Sequence, residues 1–183
     1  MRFVVSGEFS RNRLLQVIVV VFVVYVALLW LTNALLYFQK MGLTPSSVVE
    51  YYLGSEESFA APRSYSGMLE VSHFHLFAMG ILLMTLTHLM LFVPLPVGWR
   101  IALIVVPFAA GLVDEGAGWL VRFVSPGFAI VKIAGFLALE GSLAGLIVTC
   151  LWAVFAGSSA AYAGLDEDEE EEDADVEEIG DGF

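Results

Sequence analysis

Four long apolar runs decide what this chain can fold into. They cover about 14–38, 68–93, 100–124 and 128–156. Crossing the hydrocarbon core of a bilayer takes roughly 20 apolar residues in a helix, so each run is long enough. Backbone groups in lipid must pair within their own segment, which leaves helices as the spanning form for runs of this length. With 58% hydrophobic residues and a mean hydropathy of +0.81, little sequence remains for a soluble domain. The expectation is an all-α integral membrane four-helix bundle over 1–163, followed by a disordered acidic C-terminal tail over 164–183.

The net charge of −12 belongs to that tail. Of the 20 acids, 12 lie between Asp166 and Asp181, which leaves 8 against the 8 lysines and arginines of the body. A block of like charges repels itself and stays solvated. It suits either a simple solvated end or a docking tail for a basic partner. No basic face is present, so nucleic acid is not an expected partner. The single cysteine, Cys150, lies in the fourth run, so no disulfide can form within one chain. Arg2, Arg11 and Arg13 precede a first run longer than a signal-peptide core, with no small-residue cleavage site after it. The first run is therefore read as a spanning anchor. Lysines and arginines divide four against four between the two sides. Arg11 and Arg13 flank the first span closely and favour both termini in the cytoplasm.

The segment 39–67 is the one long loop. Thr44-Pro45 supplies an N-cap and a first-turn proline, and Gly54 a stop, so a short surface helix is expected over Pro45–Leu53. Its Val48, Val49, Tyr51, Tyr52 and Leu53 are expected against the membrane face. Such an element serves as a lid or docking surface, or merely packs over the bundle. Pro94-Leu95-Pro96 ends the second span, which makes spans two and three antiparallel neighbours. Pro107 is expected to kink the third span. Gly141-x-x-x-Gly145, and the Gly111, Gly116, Gly118 series, predict close packing of spans three and four. Asn33 is expected to tie the first span to a neighbour.

The second span holds all three histidines, His73, His75 and His88. Ionisable groups inside a membrane are costly and count as functional candidates. His73 and His88 are 15 residues apart, hence roughly 60° apart in azimuth and about 22 Å in depth. Two haems stacked across a membrane need such a pair as axial ligands. In this respect the helix resembles the ligand helices of membrane b-type cytochromes. The second imidazole would then come from a homodimer or a partner subunit, or a methionine would replace it. Arg122 and Lys132, placed at the His73–His75 end, are candidates to hold haem propionates or a quinone oxygen. His75 with Met79, and Met84 with His88, are i, i+4 pairs of the imidazole–thioether type that copper(I) favours. Together His73, His75, His88, Met79 and Met84 are the candidate metal ligands, although methionine in an apolar helix is most often packing. Asp114 lies about 16 Å below the Ser125–Gly127 turn, and Asp114 or Glu115 is within reach of Lys132. Asp114, Glu115 and Glu140 are read as proton-handling or ion-pair groups. Interfacial histidines and a structural ion pair are the plain alternatives.

The strings GLTPSSVVEYYLG, PRSYSGMLEVSHFHLFAMG and DEGAGWLVRFVSP are similar to a set of small bacterial four-span membrane proteins that accompany respiratory or cytochrome systems. The resemblance covers most of 42–126. It implies a bacterial inner-membrane, redox-associated setting and defines no reaction. The combined expectation is a small electron-transfer or accessory subunit, not a stand-alone enzyme. It would bind haem b, or contribute to a quinone site, through the histidine helix. The alternatives are a structural or assembly subunit of a larger membrane complex, and a copper-binding membrane protein.

Overall fold

A computed structural model describes residues 13–57, 59–93 and 95–180, with side chains to residue 155 except that of Phe92. The described residues are mostly helical, with no strand among them. The helices are α1 (Arg13–Lys40), α2 (Pro45–Leu53), α3 (Tyr65–Leu89), α4 (Val97–Phe123) and α5 (Ala129–Gly180). α1, α3, α4 and the first part of α5, Pro126–Phe155 with its leading 3-10 turn, are each long and apolar enough to cross a membrane. The architecture is an integral membrane four-helix bundle with one short added helix.

Local chemistry sets the boundaries. The Thr44 side chain accepts from the Ser47 amide at 3.4 Å, Pro45 opens α2, and Gly54 closes it at φ 79°, a left-handed conformation that glycine adopts without penalty. α3 begins earlier than its apolar run, at Tyr65, because Ser64 caps it by accepting from the Gly67 amide at 3.1 Å. It ends in a 3-10 turn, Met90–Phe92, ahead of the prolines. Pro107 lies inside α4 with its side chain buried.

Each span buries a narrow stripe and leaves the rest to lipid. On α1 the stripe is Val19, Val23, Val26 and Tyr37, at helical spacing. α4 and α5 form the most extensive pairing. Their closest approach is not at Gly141 or Gly116, where an added Cβ would meet nothing within 4 Å. It is at Gly135, where a Cβ would sit 2.9 Å from the Asp114 backbone. α2 turns Val48 and Tyr52 into the bundle, against Met68, Val121, Ala129 and Phe136.

Two apolar clusters result. One joins Val23, Leu86, Met90, Leu143, Leu146 and Cys150, and the other joins Tyr37, Val48, Tyr52, Met68, Val121 and Phe136. Along α1, α3 and α4 the polar residues Asn33, Ser72, His75, Asp114 and Glu115 fall between them. The α5 backbone is helical to Gly180, into the acidic segment, since an established helix costs little to extend. The side chains of that tail lie outside the described residues, as do Arg2 and Arg11.

Candidate functional site

Between the two apolar clusters, a cavity of about 530 Å³ opens under α2. α1 contributes Asn33, Tyr37 and Lys40 to its wall. α3 contributes Glu70, Ser72 and His75, α4 contributes Asp114, Glu115 and Gly118, and α5 contributes Lys132 and Phe136. A smaller cavity, of about 90 Å³, adjoins it and shares Asn33, His75, Asp114 and Glu115.

One wall is a hydrogen-bonded chain. Trp119 Nε1 donates to Ser72 Oγ at 2.8 Å, and Ser72 donates to Glu115 Oε1. The other carboxylate oxygen of Glu115, Oε2, is 3.1 Å from His75 Nδ1. An ionised carboxylate only accepts, so Nδ1 carries the hydrogen and Nε2 is left to meet a ligand. His75 is half exposed and Glu115 largely buried.

Beside it stands an ion pair. Lys132 Nζ lies 2.7 Å from Asp114 Oδ1 and also donates to the Asp114 carbonyl at 3.1 Å. Both side chains are mostly enclosed, 8% and 14% exposed. Tyr37 stacks on Phe136 with ring centroids 3.6 Å apart. Its hydroxyl is buried and makes no hydrogen bond, although the residue lines the cavity.

The roof is α2 and the loop after it. Gly118 leaves the space that the Tyr52 ring fills, since a Cβ there would lie 2.6 Å from the hydroxyl. Burial pushes the Tyr52 phenol well up, with nearby Asp114 adding to the effect, so it remains a neutral O–H. The Arg63 amide donates to the Tyr52 carbonyl at 3.1 Å, and Arg122 Nε donates to the Arg63 carbonyl at 2.8 Å. The Arg63 guanidinium lies 4.0 Å over the Tyr51 ring.

The structure therefore brings together His75, Glu115, Asp114 and Lys132. It does not gather the other candidates there. His73 and His88 are on the outward face of α3, His73 edge-on to Phe74. Met84 points outward too, whereas Met79 lines the smaller cavity beside His75. Among the described residues, no group of three or more His, Cys, Asp or Glu side chains is placed to hold a metal ion. Arg122 is engaged with the loop backbone and does not line the cavity. Glu140 faces α1, where Asn33 Nδ2 donates to its Oε1 at 2.6 Å. Ser72, Trp119, Tyr37 and Tyr52 are site residues that sequence reasoning missed. The one signal for Tyr37 is its place four residues after Asn33 on the same stripe.

A family model described as a transmembrane helical domain matches residues 42–161, which takes in the roof helix, three spans and every polar group of the cavity except Asn33, Tyr37 and Lys40. No curated protein and no solved structure matches the chain.

Proposed function

Because the chain belongs to the Aq_1264_TM family of transmembrane helical domains, we propose that it is a membrane subunit whose cavity under α2 takes the head group of a lipid-soluble quinone. The observation that carries this reading is the pairing of His75 with Glu115 in the wall of an intramembrane cavity. A quinone head presents two carbonyl oxygens and an apolar ring. The cavity offers an imidazole whose Nε2 is available and apolar walls from Phe136 and Met68, and beside it the buried Tyr37 hydroxyl, which has no partner, would be reached by a small turn of the ring.

Reduction of a quinone to a quinol takes two electrons and two protons. His75, when protonated, passes one proton to a carbonyl oxygen, and Glu115 offsets the imidazolium charge. The Tyr37 hydroxyl holds the second oxygen, and water entering under α2 supplies the second proton. The electrons come from a redox partner subunit, which makes this chain an accessory subunit in a bacterial inner membrane. Haem b on His73 and His88 is the second reading. It is favoured by their placement on the outward face of α3, where a second copy or a partner subunit would bring the missing ligand. Copper on His75 and Met79 ranks below both.

The test is quinone binding to the purified protein in lipid nanodiscs, read by quenching of tryptophan fluorescence with a short-chain quinone. Trp119 is one bond from the site. His75→Ala and Tyr37→Phe should each weaken binding roughly tenfold, the order expected for one lost hydrogen bond. His73→Ala should leave it unchanged. No quenching by any quinone in the wild type defeats the reading. A reduced b-type absorption spectrum lost in His73→Ala and His88→Ala, but kept in His75→Ala, replaces it with haem.

A further inference from the structure

One acid is left unused by the cavity. Glu140 sits near the middle of the fourth span and is 8% exposed. Its Oε1 accepts from Asn33 Nδ2 at 2.6 Å. Its Oε2 is buried and has no hydrogen-bond partner. Trp30 Nε1 donates to the Glu140 carbonyl at 3.0 Å, which fixes α1 against α5 at this level. The charged neighbours do not help. Asp114 on α4 has the same sign and holds Lys132 to itself. His75 on α3 is committed to Glu115. α1 offers Asn33 and Trp30, both neutral.

We propose that Glu140 is a proton-loading site within the membrane, a neutral carboxylic acid with its proton on Oε2, exchanging with the cavity past Asn33. A carboxylate with one bare oxygen among apolar atoms is strongly disfavoured, and a proton on that oxygen removes the charge. Asn33 is the link because its side chain bonds Glu140 while the residue lines both cavities. The site does not depend on which ligand the cavity takes. A failed quinone titration leaves it standing.

A neutral acid in hydrocarbon is open to an apolar carbodiimide. The carboxyl oxygen adds to the carbodiimide carbon while its proton moves to nitrogen, and the adduct rearranges to a stable N-acylurea with no further reactant. The experiment treats the intact protein in nanodiscs with dicyclohexylcarbodiimide at neutral pH and maps the adduct by mass spectrometry. Infrared spectra of the untreated protein accompany it. The expected result is an adduct at Glu140, and a protonated-carboxyl band that Glu140→Gln abolishes and Asp114→Asn retains. Glu140→Gln should also melt within a few degrees of wild type, because the amide still accepts from Asn33. In Asn33→Val the deuterium shift of the band should slow tenfold or more. An unmodified Glu140, or a band untouched by Glu140→Gln, overturns the proposal. An unchanged exchange rate in Asn33→Val overturns the route past Asn33.

Discussion

At the scale of single residues, the costly groups are the charges that membrane burial would otherwise forbid. Lys132 and Asp114 survive there because each satisfies the other at 2.7 Å. Removing one partner strands the other in a low dielectric, whereas replacing both with apolar groups need not. Lys132→Ala should therefore cost about 3 kcal/mol. The double change Lys132→Met, Asp114→Leu should recover most of that loss, as measured by melting in detergent. A double variant less stable than Lys132→Ala would show that the pair does more than neutralise itself. That Lys132 reaches Asp114 or Glu115 was legible from helical rise; which of the two it pairs with was not. The choice among three histidines was not. α3 is apolar on every side, so its periodicity names no inward face, and only contact with α4 selects His75 over His73 and His88. Tyr37 was hidden for a related reason, because an aromatic near a span end reads as part of an interfacial belt.

At the scale of elements, short local signals were the most legible. The α2 limits follow from Thr44-Pro45 and Gly54, whose capping chemistry acts within a few residues. Its packing direction was not legible, because Val48 and Tyr52 are apolar enough for lipid or for the bundle. The small-residue pattern named the right pair of helices but not their tightest point. Gly141 and Gly145 have the spacing of a packing motif, yet the tight crossing is at Gly135. Gly135→Ala should force α4 and α5 apart at Asp114 and cost about 1–3 kcal/mol, the usual range for overpacking. Gly141→Ala should be neutral or stabilise by up to roughly 1 kcal/mol, since nothing opposes the methyl and alanine favours the helix. Melting temperatures of the two variants, compared side by side, check this. Equal effects would place the crossing elsewhere.

At the scale of the molecule, four spans return the chain to the side on which it entered. Arg13 and Phe155 therefore share one face of the membrane, while the roof helix and the loop through Glu57 lie on the other. With Cys150 replaced by serine, a cysteine at Arg13 and one at Glu57 should react with an impermeant maleimide from opposite sides. A cytoplasmic N-terminus predicts that only Glu57→Cys labels in intact cells. Labelling of both would contradict the four-span path. The fold class was legible because hydropathy is a property of long stretches. The cavity was not, since it is made by residues from four helices at one level.

The position of the cavity mouth has a consequence for sidedness. It opens beneath α2, at the ends of the spans remote from Arg13 and Phe155. Its polar groups thus lie nearer one aqueous phase, while the acidic segment that continues α5 starts from the face bordering the other. A partner docked on that segment and one docked on α2 would meet the protein from opposite aqueous phases. A charge moved between the aqueous phase on the α2 side and His75 would cross part of the membrane field, so its energetics would depend on the voltage across the membrane.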